Sequence, residues 1–161
     1  MANIIKFAKC GFVSAVVSLS FLFPVSSSAA SELDVIASVI VLEAGGEGRE
    51  GMKAVACVIQ NRARARSKSP YQIVTEPKQF SCLNGKTPSQ VVCLAQCSPS
   101  WPYALRLAAI VLYGEIDDIT HGADHYHAKS MRPYWAKSMG RTVVIGNHVF
   151  YNSRSGIVAK N

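Results

Sequence analysis

A glutamate that follows a long apolar run is the strongest candidate for a catalytic side chain. The run covers residues 35–42, Glu43 comes next, and residues 44–46 are Ala-Gly-Gly. A helix that is apolar on all sides is buried, and glycines after its last turn end it. We therefore expect Glu43 where the core opens to a cleft. Burial there would raise the pKa of its carboxyl group, which suits a general acid; a solvated glutamate at a frayed helix end is the alternative.

Glycosidic cleavage needs an acid beside the scissile oxygen, and often a second carboxylate roughly 5 to 10 Å away. The candidates for this second group are Glu47, Asp117, Asp118 and Asp124. Glycines between Glu43 and Glu47 are expected to break the helix, so we favour a capping role for Glu47 at the next helix. Asp117 and Asp118 follow a glycine in a turn and are expected to be solvated.

A histidine cluster offers a competing chemistry. Its members are His121, Asp124, His125, His127 and His148. His125 and His127 share one face of a strand, as ligands of a zinc enzyme can. The sequence has no His-Glu-x-x-His motif and no upstream ligand at a recognised spacing. A zinc-dependent amidase or endopeptidase that uses His125 and His127 remains the alternative function.

Aromatic residues interleave with these histidines, which is typical of a carbohydrate groove where rings stack on sugars and polar tips bind hydroxyls. A half-buried structural sheet is the second interpretation and a metal site the third. We predict that one cleft facing Glu43 is lined by Tyr126, His127, Trp135, His148 and Tyr151. Neighbours in a strand point to opposite faces, so we place Tyr126 toward Glu43 and His127 on the far side.

Hydrophobic periodicity and turn residues predict the elements that carry these side chains. The predicted helical segments are residues 32–43 (capped by Ser31), 50–65, 70–74, 101–112 and 133–139. The predicted extended segments are residues 121–128, 142–145 and 148–151, the last two joined by a Gly-Asn turn. Residues 76–98 are predicted to be a long irregular loop. The fold class is α+β, with a small antiparallel β element near the C-terminus.

The N-terminus has the features of a signal peptide. Lys6 and Lys9 form a basic region, residues 11–25 are apolar, and residues 26–30 are small. The apolar part is too short for a confident membrane span, although an uncleaved anchor is the alternative. We expect residues 1–30 to be a signal peptide and residues 31–161 to be one periplasmic or secreted catalytic domain.

The exported domain would be basic. Without Lys6 and Lys9, fifteen basic and ten acidic residues remain, a net charge of +5. This charge suits an anionic partner such as a cell-wall polymer. The basic cluster at residues 62–68 lacks interleaved aromatics and is interpreted as a solvated helix end, so we expect no nucleic-acid partner. We also expect no stable membrane insertion, no cofactor and a monomer.

Four cysteines remain after export: Cys57, Cys82, Cys93 and Cys97. An even number in an oxidising compartment favours disulfides. Cys57 lies in the apolar centre of the second helix and is predicted to be a buried free thiol. We predict that either Cys82 or Cys93 pairs with Cys97, because all three lie in the polar segment before residue 99. Their spacing does not suit a zinc cluster.

Several separated motifs occur in a recognisable order. They are EAGGE at 43–47, EGMKAVA at 50–56, VIQNR at 58–62, QFS at 79–81, YHA at 126–128, Pro133 with Trp135-Ala136, and IGNHVFY at 145–151. Together they resemble the SleB-type cell-wall hydrolases, a family that includes spore cortex-lytic enzymes. The resemblance covers about residues 35–151. One departure is Gly45, where many relatives have arginine.

The resemblance implies a lysozyme-like domain that acts on peptidoglycan glycan strands, with Glu43 as the acid. It also implies lytic transglycosylase chemistry, in which one carboxyl group suffices. Glu43 would protonate the oxygen between N-acetylmuramic acid and N-acetylglucosamine, then accept the proton of the C6 hydroxyl as a 1,6-anhydro ring closes. Tyr126 is assigned to catalysis with Glu43. The substrate-binding candidates are Glu47, His127, Trp135, His148 and Tyr151.

Overall fold

The structure is a computed structural model that describes residues 29–154. Almost all of the predicted signal peptide lies outside these residues. The helices are α1 (Glu32–Ala44), α2 (Gly48–Arg66), α3 (Pro70–Thr75), α4 (Pro88–Gln96) and α5 (Trp101–Tyr113). The strands are β1 (His125–Ala128), β2 (Gly140–Ile145) and β3 (His148–Asn152). The predicted α+β class is therefore confirmed. In the part of the chain described, no helix is long and apolar enough to cross a membrane.

The first helix, α1, is the buried centre of the helical layer. Residues 35–41 are at most 6% exposed, because almost every position is apolar and the four other helices pack around it. Ser38, the polar exception, donates its hydroxyl to the Val35 carbonyl at 2.7 Å. Ser31 caps the helix by accepting from the Asp34 N–H at 3.1 Å. The prediction that this helix is buried and ends near Glu43 is confirmed.

A sharp break separates α1 from α2. A short 3₁₀ helix, Gly45–Glu47, lies between them, and Ala44 has already left helical geometry with φ −143° and ψ 14°. Gly48 then has φ +71°, a left-handed conformation that glycine adopts without strain. The predicted break is confirmed. Glu43 therefore belongs to the buried helix α1, whereas Glu47 lies just before the first residue of α2.

The prediction of an irregular segment over residues 76–98 is wrong in its second half, where α4 forms. Thr87 accepts from the Gln90 N–H, and the Gln90 side chain binds the Thr87 N–H, which makes a capping box ahead of α4. Apolar residues at 91, 92 and 95 bury this helix against α1. The sequence does carry a start signal for this helix, since Thr87-Pro88-Ser89-Gln90 combines a capping-box pair with a proline at the first helical position.

The three strands form an antiparallel sheet in the order β1-β3-β2. Tyr126 pairs with Phe150, and His125 pairs with Tyr151. Because alternate residues point to opposite faces, the register defines two faces. The inner face, which packs on α2, carries Tyr126, Ile145, His148 and Phe150. The outer face carries His125, His127, Val149 and Tyr151. Residues 134–138 form a 3₁₀ helix rather than an α-helix, and Trp135 from this segment contacts the outer face.

The four cysteines of the described region are all free, so neither predicted disulfide is present. Cys57 is fully buried in α2, as predicted. Cys93 and Cys97 lie exposed at the last turn and cap of α4. Cys82 is half-buried and faces Glu43 instead of α4.

Candidate active site

Glu43 lies half-buried in the last turn of α1, where the segment Ser81–Leu83 and strand β1 meet. The Ser81 hydroxyl donates to Oε1 at 3.3 Å. The Tyr126 hydroxyl donates to Oε2 at 2.9 Å. Both carboxyl oxygens are thus fixed by hydroxyl groups from different parts of the chain. The carboxyl group is held in one orientation before any substrate arrives.

Tyr126 points toward Glu43, as predicted from strand periodicity. Its ring packs on Phe150 at 5.6 Å and against His148 at 5.1 Å between centroids. Burial, and after it the negative charge of Glu43, raises the pKa of Tyr126 well above its ordinary value. The phenol therefore keeps its proton at any physiological pH, so Tyr126 can always donate to Glu43.

Arg62 is a buried cation behind this pair, 7% exposed. Its Nε donates to the Asp124 carbonyl at 2.7 Å, and its guanidinium lies 5.2 Å from the Phe80 ring centroid. Its positive charge acts on both Tyr126 and Glu43, while burial lowers its own pKa. Interpreting residue 62 as part of a solvated helix end is wrong. Its position three residues after Ile59 places it on the buried stripe of α2, which the sequence could have shown.

Cys82 also borders Glu43. Burial first, and then the charge of Glu43, raises the pKa of this thiol to about 12. The thiol therefore stays protonated, and it adds no second negative charge beside the carboxyl group.

Glu47 does not cap α2 with its side chain, although it occupies the position before it. Its carboxylate instead accepts the backbone N–H of Asn147, in the β2–β3 turn, at 2.7 Å. This hydrogen bond lowers the pKa of Glu47, with a smaller contribution from the charge of Lys129. The predicted capping role is wrong; Glu47 links the helical layer to the sheet.

Two further acidic residues stabilise the segment before β1. Asp118 accepts hydrogen bonds from the Thr120 N–H, the Gly122 N–H and the Asn61 side chain, at 2.7 to 3.1 Å. Burial alone would raise the pKa of Asp118, but these hydrogen bonds outweigh it, and the pKa is lowered. The prediction that Asp118 is solvated is wrong. Asp117 is exposed as expected and pairs with Lys53 at 2.8 Å.

Asp124 is the last of the candidate carboxylates. It accepts from His125 Nδ1 at 2.8 Å and from the Ser153 N–H at 2.9 Å. Burial would raise its pKa, but the hydrogen bonds from His125 and Ser153 lower it to about 2. Each candidate for a second catalytic carboxylate is therefore committed to a contact within the protein.

The sheet separates the four predicted substrate-binding side chains other than Glu47 into two groups. His148 lies on the inner face, in ring contact with Tyr126. Three others stack together on the outer face: His127, Trp135 and Tyr151. The prediction of one cleft facing Glu43 is therefore wrong for these three. The far-side position predicted for His127 is confirmed.

The histidine geometry does not favour a zinc centre. His127 Nε2 lies 3.1 Å from the Tyr151 hydroxyl, and its Nδ1 lies 2.8 Å from the Ala128 carbonyl. His125 Nδ1 is bound to Asp124. Over residues 29–154, no three His, Cys, Asp or Glu side chains come close enough to share a metal ion.

Comparison with known proteins gives a family match and two similar folds. The family model described as Cell Wall Hydrolase matches residues 46–151, a segment that begins just after Glu43. No curated protein sequence gives a match. The fold is similar to the catalytic domain of the germination-specific lytic transglycosylase SleB from Bacillus anthracis, with a TM-score of 0.60 and 22% identity over 79% of this chain and 98% of that one. The catalytic domain of the Bacillus cereus SleB protein gives 0.59 and 22%, over 78% and 94%.

Proposed function

The chain belongs to the cell wall hydrolase family, and from this we propose that it cleaves the β-1,4 bond between N-acetylmuramic acid and N-acetylglucosamine in peptidoglycan. The observation that carries the proposal is Glu43, held at the end of the buried helix α1 by hydrogen bonds from Tyr126 and Ser81. The fold shared with a lytic transglycosylase domain supports the same reaction class.

The hydroxyl groups of Tyr126 and Ser81 give the two carboxyl oxygens of Glu43 different roles. Tyr126 remains a donor, so Oε2 remains an acceptor. The proton of the neutral acid therefore belongs on Oε1. Ser81 lies 3.3 Å from that oxygen and can rotate to accept from it. Oε1 is thus the atom that delivers the proton to the glycosidic oxygen.

One carboxyl group completes the reaction. As the C1–O bond breaks, the Glu43 proton moves to the leaving oxygen of the next sugar. The C6 hydroxyl oxygen of N-acetylmuramic acid then bonds to C1, and its proton returns to Glu43. The product is a 1,6-anhydro end, and the acid is regenerated without water. The engagement of Glu47, Asp117, Asp118 and Asp124 with protein partners supports a mechanism with a single carboxylate.

Arg62 stabilises the intermediate stage. Between the two proton transfers Glu43 is a carboxylate, and the buried guanidinium attracts this negative charge. The interaction favours departure of the proton in the first step. Tyr126 acts in the same direction, because hydrogen bonds to a charged acceptor are stronger than those to a neutral one.

Replacement of Glu43 by glutamine tests the proposal. Glutamine keeps the volume but cannot supply the proton, so we expect turnover to fall by about 10² to 10⁴ or more. The melting temperature should change little. The assay is cleavage of purified peptidoglycan, with mass spectrometry of the products for 1,6-anhydro ends.

Glu32→Gln is the matched control, because Glu32 is an exposed glutamate in the first turn of the same helix. It should retain wild-type turnover. Near-normal activity in Glu43→Gln would contradict the assignment of the acid. New reducing ends in place of anhydro ends would mean that water is the acceptor, and freed stem peptides would mean that the glycosidic bond is not the target.

A further inference from the structure

A cavity of about 810 Å³ lies on the outer face of the sheet, away from Glu43. Its floor includes Val149 and Tyr151. Four basic residues line it: Lys129, Arg132, Lys137 and Arg141. No acidic side chain of the described residues contributes to the lining. The cavity therefore combines an apolar floor with a positively charged border.

The four basic residues have no carboxylate partner, unlike several basic residues of the helical layer. On the helical layer, Lys53 pairs with Asp117 at 2.8 Å and Arg64 with Glu115 at 3.2 Å. Among residues 29–154, none of the four cavity residues has a carboxylate within 4.0 Å. The charge of Lys129 contributes to lowering the pKa of Glu47, which lies beyond ion-pair distance. Four unneutralised cations around one cavity attract an anion.

The shape of the border is fixed by backbone contacts. Arg132 Nη1 donates to the carbonyls of Lys129 and Met131, at 2.7 and 2.9 Å. The Lys129 N–H binds the Asn147 carbonyl at 2.7 Å. Asn147 in turn donates to Glu47. Lys129 is therefore at the end of the cavity where the sheet meets the helical layer.

Where a stem peptide is attached, the carboxyl group of N-acetylmuramic acid is amide-bonded and neutral, so the free carboxylates of such a strand lie on its stem peptides. Carboxylates are the anions that arginine binds in pairs of hydrogen bonds and lysine binds as a point charge. The charge of the cavity is thus complementary to the peptide part of the substrate.

A stem peptide can reach the cavity from the catalytic side. Tyr126 faces Glu43 and its neighbour His127 faces outward, so one layer of sheet, about 10 Å, separates the two sides. Strand β1 is at the edge of the sheet, so a chain can pass around it. A peptide of four or five residues spans up to about 13 to 18 Å, which exceeds the thickness of the sheet.

We propose that this outer-face cavity binds a carboxylate of a peptidoglycan stem peptide through Lys137 and Arg141, so that the enzyme prefers glycan strands that carry peptides. The proposal rests on the proposed function and adds a second contact to the same substrate. The side chains of Lys137 and Arg141 are exposed. Neither side chain makes a hydrogen bond or an ion pair with the described residues, so both can bind a carboxylate.

The test compares soluble glycan strands that carry stem peptides with the same strands after an amidase has removed the peptides, which leaves a lactyl carboxylate on each muramic sugar but none at peptide distance. The wild-type protein should have a several-fold higher kcat/KM on the peptide-bearing strands. Lys137→Gln and Arg141→Gln should each lose most of this preference through KM and keep wild-type turnover on stripped strands. Arg106→Gln, an exposed arginine on α5, removes the same charge elsewhere and should keep the preference.

Equal wild-type activity on both substrates would overturn the proposal and leave Glu43 chemistry intact. A loss in Lys137→Gln and Arg141→Gln that is the same on both substrates, or is matched by Arg106→Gln, would also overturn it, because that pattern reflects general charge attraction. Failure of the proposed function looks different: neither substrate would be cleaved in a Glu43-dependent way.

Discussion

At the scale of single residues, the site consists of a carboxyl group whose neighbours are all neutral hydrogen donors or a buried cation. Tyr126 and Ser81 hold its oxygens, Cys82 stays a thiol, and Arg62 lies behind. Among the described residues, each other candidate carboxylate is bound to a different partner. This environment suits the proposed mechanism, in which Glu43 loses and regains one proton.

Tyr126→Phe should lower turnover by about tenfold to a hundredfold. The expected loss is that of one hydrogen bond to a charged group, about 1.5 to 3 kcal/mol. The ring would still pack on Phe150, so the melting temperature should change little. Turnover on peptide-stripped glycan and thermal unfolding measure the two effects separately.

His127→Ala is the comparison for that variant. It removes a ring that stacks on Tyr151 at 5.3 Å and contacts Trp135 at 5.6 Å on the outer face. It should therefore mainly lower the melting temperature. If Tyr126→Phe destabilised the protein and His127→Ala abolished turnover, the roles of the two sheet faces would be reversed.

At the scale of elements, the site depends on how the 3₁₀ turn after α1 meets the β2–β3 turn. Glu47 joins them through the Asn147 N–H. Gly146 has φ +55°, and a Cβ at this position would overlap the Glu47 carboxylate. The Gly-Asn turn therefore does more than reverse the chain. It lets the sheet approach Glu47 closely enough to place Tyr126, with His148 against its ring, beside Glu43.

Gly146→Ala should lower stability by about 1 to 2 kcal/mol, because alanine is strained at positive φ and its methyl group would displace Glu47. Turnover should fall as well, since the sheet that carries Tyr126 would shift. Thermal unfolding and glycan cleavage measure these effects. Gly46→Ala is the control, because a Cβ there meets no atom within 4 Å. Equal effects of the two substitutions would argue against a specific contact between Glu47 and the turn.

At the scale of the whole molecule, the helical layer and the sheet are held together by buried polar contacts as well as by apolar packing. Arg62 on α2 donates to the carbonyl of Asp124, and the Asp124 side chain binds Ser153 beyond β3. These contacts fix the last described residues to the sheet and the sheet to α2. Stability should therefore depend on the ionisation of Asp124.

Asp124→Asn should lower the free energy of unfolding by about 2 kcal/mol at pH 7. The pKa of Asp124 is lowered from 3.8 to about 2 in the folded protein, so its stabilisation is complete above about pH 4 and is lost as the pH falls toward 2. Denaturant unfolding of both proteins at pH 7, 4 and 2 measures this. The difference between them should shrink at the lowest pH; a difference that does not change with pH would contradict the role of the charge.

The sequence by itself determined the features that depend on local periodicity. The apolar run of α1 dictates burial, and its end places Glu43. The alternation in β1 separates Tyr126 from His127, and the ordered motifs identify the cell wall hydrolase family, as the family match confirms. These features can be predicted because the hydrophobic periodicity of a helix or strand indicates which of its sides is apolar.

Only the tertiary structure decided which side chains meet. Tyr126 reaches Glu43 across 83 residues, and Asn147 reaches Glu47 across 100. The pattern of a strand shows that two faces exist but not which elements cover them, so Trp135 and Tyr151 were assigned to the wrong side. Arg62 is a mixed case: its position after Ile59 indicates the buried stripe of α2, but its charge predicts solvent, and the Asp124 carbonyl and Phe80 ring that contact it come from distant segments. Contacts between elements depend on packing over the whole chain, which local patterns do not contain.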